Sequence, residues 1–215
     1  MPYYNTSHKG LTSNKYGERG TLMNILKSVT FVAILCSTTP ALAFDDNRQG
    51  FILGLGAGLH SLDIDFIFNG STIKSQSKSG LATSFKIGGG ITNQFALYYV
   101  RNASWYSAPF FNGFTTQDIT YTIGLSGLGA SFYLSPSAPS GYFLAAFGIG
   151  DLSAPLEGDV SPDTGSAFMF GGGYEINKHL MLEATVLTTN IESADNSLLS
   201  IESSSFQFTI NYLFY

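Results

Sequence analysis

His60, Ser61 and Asp63 put an imidazole, a hydroxyl and a carboxylate within four positions, the residue types of a nucleophilic acyl-transfer or hydrolytic site. Their spacing argues against that use. Adjacent residues of an extended chain point to opposite faces, so His60 and Ser61 do not converge without a bend. The next histidine, His179, stands in a short turn far along the chain. No catalytic residue is assigned, and a non-enzyme is expected. Gly54-Leu55-Gly56-Ala57-Gly58 looks like the start of a dinucleotide loop, but Leu59 occupies the place of the third glycine and no helix follows. Asp63-Ile64-Asp65 begins like a calcium loop, yet Phe68 and Lys74 stand where Gly and Glu are required. With Cys36 the only cysteine and the histidines scattered, there is no zinc ligand set. No metal and no cofactor is expected. Four charges in otherwise apolar or small-residue segments remain: Lys86, Arg101, Glu175 and Glu183. What they do depends on which way they face, and therefore on the elements that carry them.

Only 12% of the 215 residues are Asp, Glu, Lys or Arg, where about 25% is usual in a soluble domain. Glycine supplies 24 positions, and aromatics 14%, with 18 Phe and 12 Tyr. The apolar content excludes a disordered chain. A net charge of −5 without a basic cluster excludes a nucleic-acid binder. Low charge with many aromatics and glycines suits a β-rich chain whose outer surface does not face water.

Residues 23–43, MNILKSVTFVAILCSTTPALA, read as a secretory signal peptide. Lys27 is the positive start, Val29 to Cys36 the apolar core, Pro40 its break, and Ala41-Leu42-Ala43 the small-x-small pattern for cleavage after Ala43. The apolar run is too short for a helical span. Met23 is the expected initiator, which makes residues 1–22 a non-native extension; a start at Met1 is the alternative. The exported part, 44–215, keeps six basic and fourteen acidic residues, a net of −8, and no cysteine.

After residue 43 no stretch reaches the length of a helical span, and no 3.6-residue periodicity appears. Instead, eight segments of about ten residues alternate apolar with small or polar side chains. Phe51, Leu53, Leu55, Ala57 and Leu59 share a face in the first. Phe206, Phe208, Ile210, Tyr212 and Phe214 do so in the last, against Gln207, Thr209 and Asn211. The fourth changes parity, from Ile119, Tyr121, Ile123 and Leu125 to Leu128, Ala130, Phe132 and Leu134, which predicts a bulge near Gly127. Connections at 91–94, 135–141 and 176–179 are short, and those at 61–79, 104–117, 151–164 and 189–203 are long and polar. That alternation predicts an all-β, eight-stranded, antiparallel up-and-down transmembrane barrel, with short periplasmic turns and longer extracellular loops. It must close, because an open sheet edge strands backbone amides in lipid.

In such a barrel Lys86 and Glu183 fall on the inward parity, where they can pair with each other or with Glu175. Arg101 shares parity with Phe95, Leu97 and Tyr99 and faces inward only if a bulge intervenes; near the rim it reaches lipopolysaccharide phosphates instead. Grouped as interior charges, these four form either a polar path or an ion-pair plug. An eight-stranded lumen leaves little room for water, which favours the plug.

GGGITNQFALYYV at 88–100, GLGASFYLSP at 127–136, GYFLAAFGIGDL at 141–152, GGGYEINKHLMLEAT at 171–185 and the terminal SFQFTINYLFY carry a resemblance to the OmpA/OmpX-type, opacity-protein-like outer-membrane barrels over residues 44–215. The resemblance implies a bacterial outer-membrane location among lipid and lipopolysaccharide, and recognition of the last strand (Phe206, Phe208, Ile210, Tyr212, Phe214, Tyr215) by the assembly machinery. It further implies a non-enzymatic surface role in which the loops meet an extracellular ligand that the sequence does not name. The alternatives are a narrow pore or OmpW-like lateral channel for small solutes and, third, a lipid-modifying enzyme.

Overall fold

The structure, a computed structural model, describes residues 48–111, 116–157, 162–193 and 198–214. The signal peptide with its cleavage residues Ala41 and Ala43, the extension at 1–22, and Tyr215 lie outside the described residues. Eight strands follow one another along the chain: β1 (Gly50–Phe68), β2 (Ser71–Gly90), β3 (Phe95–Phe111), β4 (Thr116–Tyr133), β5 (Ser140–Ser153), β6 (Asp163–Glu175), β7 (Leu180–Glu192) and β8 (Leu199–Phe214). Each pairs antiparallel with the next, and β8 returns to β1, so the sheet closes into a barrel.

The alternating pattern sorts the side chains. Leu55, Leu59, Leu81, Leu97, Leu128, Phe132, Phe143, Phe147, Phe168, Phe170, Phe206, Phe208 and Ile210 all stand exposed on the outer wall. Their inward neighbours are buried: Ile52, Val100, Leu144, Met169, Met181, Gln207, Thr209 and Asn211. Leu59 is 71% exposed and Phe147 64%, an inversion of the usual globular arrangement. On β1 the apolar outer face runs from Phe51 to Leu59 and then gives way to Ser61, Asp63 and Asp65. Nine residues at about 3.4 Å each, tilted by about 40°, make a belt about 23 Å tall.

The strands are longer than that belt. β2 has 20 residues and even β6 and β7 have 13. The excursions expected as long loops at 61–79 and 104–117 are largely paired strand. β1 and β2 are joined only by Asn69-Gly70, both at positive φ, 49° and 76°, the pairing of residues that a type I′ hairpin demands. Beyond the belt the apolar face of β1 passes to the inside, with Leu62 and Ile64 buried, while the outward face turns polar at Ser61, Asp63 and Asp65, so the ladder continues without an apolar outer wall. Asn-Gly was the local signal that marked the hairpin.

The bulge expected near Gly127 is absent. β4 keeps unbroken register with both neighbours there, Ser126, Gly127 and Leu128 pairing with Arg101, Val100 and Tyr99 on β3 and with Ile149, Gly148 and Phe147 on β5. Ile119, Ile123 and Leu125 are buried inside the barrel. The parity change in the sequence marks a change in the lumen, which is apolar at this level, while the wall outside becomes Gly124, Thr122 and Thr120. A bulge lies instead in β2, where Phe66 pairs with Lys74 and Ile67 with Thr72, leaving Ile73 unpaired against β1.

Candidate functional site in the barrel lumen

The inward side chains stack in tiers. At the short-turn end Arg48, just ahead of β1, is 4% exposed and crosses the mouth of the barrel. Its guanidinium meets the Glu175 carboxylate in a two-pronged ion pair, Nε to Oε1 at 3.2 Å and Nη2 to Oε2. Nη1 donates to the carbonyls of Asn93 (2.8 Å) and Ser135 (2.7 Å). The guanidinium carbon lies 4.2 Å from the centre of the Tyr133 ring. One planar cation thus ties the β2–β3 turn, the β4–β5 turn and the end of β6 together, a task suited to the fixed fork of arginine. Gly90 makes room for this crossing, since a Cβ there would overlap the Arg48 carbonyl.

One tier further in, Lys86 Nζ stands 2.5 Å from Glu183 Oε2, and Tyr142 donates its hydroxyl to the same oxygen at 2.9 Å. The ammonium is 5.5 Å from the Tyr98 ring centre, and Tyr98 in turn bonds Ser131 at 2.7 Å. The Tyr133 and Tyr142 rings, 5.1 Å apart, pack this tier against the first. The cavity beside Lys86, Tyr98, Ser131, Tyr133 and Tyr142 measures about 10 Å³, at the lower limit for one water molecule.

The middle of the lumen is polar and uncharged. Gln207 donates to Ser104 at 3.0 Å, Ser104 and Ser205 lie 2.8 Å apart, and Asn211 donates to Thr209 at 2.9 Å. Asn211 lies over Gly56, where any Cβ would collide with its side-chain oxygen. His60 contacts the Trp105 carbonyl through Nε2 at 2.9 Å. Among the described residues, His60 Nδ1, Ser84 Oγ, Gln207 Oε1 and both amide atoms of Asn102 find no protein partner, so they are the groups that internal water would satisfy. Above them, toward the long hairpins, Leu62, Ile64, Tyr106, Ile123, Ile191 and Ile201 form an apolar cluster.

The four charges expected inside are therefore distributed in three ways. Lys86 pairs with Glu183. Glu175 is taken by Arg48, which sequence reasoning had not singled out, since nothing in its immediate sequence separates it from a surface arginine. Arg101 is not interior: with no bulge in β3 it follows the parity of Leu97 and Tyr99 onto the outer wall. There it forms a two-pronged pair with Asp151 and bonds Ser126 Oγ at 3.1 Å. The pair sits where the apolar belt ends on β4 and β5. His60 points inward while Ser61 and Asp63 are exposed on the outer face, so no nucleophile–base pair is assembled there. Along β8, Phe206, Phe208, Ile210 and Tyr212 are exposed in the belt, with Phe214 edge-on to Tyr212 at 4.8 Å and His179 stacked on Tyr212 at 5.5 Å. A groove of about 480 Å³ lies on the wall above the belt, bordered by Asp63, Asp65, Ser166, Asn190, Glu202 and Ser204.

No family model matches the sequence, and no curated protein matches it. Solved structures do resemble it in layout. The attachment invasion locus protein Ail of Yersinia pestis aligns at 14% identity over 77% of this chain and 99% of its own, with a TM-score of 0.47. Neisserial surface protein A aligns at 16% over 76% and 97%, TM-score 0.48. The outer membrane protein OprG from Pseudomonas aeruginosa aligns at 12% over 79% and 98%, TM-score 0.44.

Proposed function

We propose that this chain is a non-enzymatic barrel of the bacterial outer membrane, anchored by its apolar belt, closed along its lumen, and meeting the outside through the long hairpins and the connections at 154–162 and 193–198. The observation that carries the reading is the closed antiparallel barrel with its greasy side outward. Such a surface is insoluble in water, and closure leaves no backbone amide stranded in lipid. The lumen supports a closed state, because two ion-pair tiers and a separate apolar tier lie in series.

Two expected results test the anchor. The refolded barrel migrates faster on a gel before boiling than after. Phe147→Arg, in the middle of the belt on β5, lowers unfolding stability in lipid vesicles by about 2–4 kcal/mol, whereas Ser204→Arg, above the belt, costs about 0–1 kcal/mol. Equal costs at both positions would contradict a lipid-facing belt. The competing reading, a narrow pore or lateral path for small solutes, is tested by planar-bilayer recording. The intact protein is expected to show no stable conductance steps. Steps that disappear in Lys86→Ala would establish a pore in place of the plug.

A further inference from the structure

The barrel is closed over its belt but not over its full height. β1 pairs with β2 from Gly50↔Gly90 up to Phe68↔Ser71 and with β8 up to Phe68↔Leu199. β2 pairs with β3 only over Leu81–Gly90 and Ala96–Trp105, while β3 continues with β4 to Phe111↔Thr116. Above Leu81 and Trp105 the wall therefore splits into two ribbons. Among the described residues nothing pairs with Ser71–Gly80 on the side away from β1. In an antiparallel ladder every second residue directs its N–H and C=O outward, so the regular run Lys74–Gly80, beyond the bulge at Ile73, offers about three to four unpaired sets of backbone groups. Such an edge is a template for another strand.

We propose that the free edge of β2, Ser71–Gly80, docks an extended acidic peptide segment by strand addition. Its chemistry selects the partner. The segment STIKSQSKSG holds two lysines and no carboxylate. Lys74 and Lys78 are four residues apart on one face, opposite Phe66 and Leu62 of β1. Neither takes part in an ion pair among the described residues; Lys74 only lies 5.9 Å from the Phe66 ring centre. The other face of the ribbon carries Asp63 and Asp65 beside Ser77 and Ser75, and Ser77 already donates to Asp63 at 2.5 Å. An added strand thus meets positive charge on one face and negative charge on the other. It should bear acids at positions i and i+4, both directed to the lysine face, with small neutral residues between. A second copy of this chain fits poorly, because a two-fold antiparallel pairing of the same edges gathers four lysines on one face.

The proposal depends on the folded barrel and not on its cellular location, so binding is measured on the whole refolded chain in detergent, and its failure leaves the membrane-barrel reading standing. The probe is a fluorescein-labelled ten-residue peptide of Thr and Val with glutamates at its third and seventh positions, followed by anisotropy. Saturable binding is expected. Joint Lys74→Glu and Lys78→Glu substitution weakens it about tenfold and moves the preference to the same peptide with lysines at those positions. Moving the second glutamate one place, onto the opposite face, also weakens it. N-methylation of alternate peptide amides abolishes binding with every side chain retained, a result that charge attraction alone does not produce. Lys74 is exposed and Lys78 half-buried opposite Leu62, and heat-modifiable migration verifies that the variant remains folded. Absence of saturable binding, equal binding of the N-methylated peptide, or sedimentation as a dimer that the charge reversal dissociates would each overturn the proposal. In the first two cases the lysines only guard an edge against unwanted pairing; in the third the occupant is a second copy.

Discussion

Replacing Lys86 with alanine is expected to lower the unfolding free energy of the refolded barrel by about 3–5 kcal/mol, the cost of leaving a buried carboxylate without its cation. Glu183 is 1% exposed, and without Lys86 it keeps the hydrogen bond from the Tyr142 hydroxyl. Urea titration of the protein in lipid vesicles reads the loss, with Trp105, the chain's one tryptophan, as the fluorophore. The double variant Lys86→Met with Glu183→Leu is expected to recover most of that loss. Replacing a whole buried pair by apolar groups of similar volume is neutral or stabilising far more often than removing half of it. Conductance should remain absent in both proteins, because Leu62, Ile64, Tyr106, Ile123, Ile191 and Ile201 close the lumen independently at its other end. A loss below about 1 kcal/mol in the single variant would show that Glu183 has water or another cation at hand, and the tier would no longer count as a dry seal.

Arg48→Ala is expected to cost a comparable 3–5 kcal/mol, for a different combination of reasons. Glu175, 0% exposed, loses its two-pronged partner. The Asn93 and Ser135 carbonyls lose a charged donor, worth about 1.5–3 kcal/mol in a typical case. These costs overlap and do not add. Arg48→Lys keeps the charge but replaces a planar fork by a single ammonium, so less than half of the loss should return. Amide exchange distinguishes this clamp from a plain ion pair. The turns at 91–94 and 134–139 should exchange faster in Arg48→Ala, and those amides should be unaffected by Lys86→Ala. Equal protection of the two turns in wild type and Arg48→Ala would remove the clamp from the account and leave only its contact with Glu175.

Much of the architecture was legible because lipid-facing and lumen-facing positions alternate with period two. Phe51 to Leu59 and Phe206 to Phe214 display their outward faces without any knowledge of their neighbours, and the succession of short and long connections orders eight such segments into an up-and-down barrel. The same reasoning misread Ile119 to Leu125. Alternation alone sends these apolar residues outward, yet Ile119, Ile123 and Leu125 are buried in an interior that is apolar at that height. It also ends the strands at the margin of the belt, because there the apolar face of β1 passes from the wall to the lumen, at Leu62 and Ile64, and the outward face becomes polar. Asn69-Gly70 marks the hairpin at which the continuation beyond that margin ends.

Composition and alternation in the chain itself determined the class of fold, the number of strands, the identity of the outward belt and the inward parity of Lys86, Glu175 and Glu183. The tertiary structure alone decided who meets whom. Lys86 and Glu183 are 97 residues apart and Arg48 and Glu175 are 127. Whether two inward side chains reach the same height depends on the stagger accumulated as each strand pairs with the next around the barrel. That stagger belongs to the closed sheet and to no segment of it. The same closure left Ser71–Gly80 without a neighbour on one side and carried Arg101 to the outer wall beside Asp151.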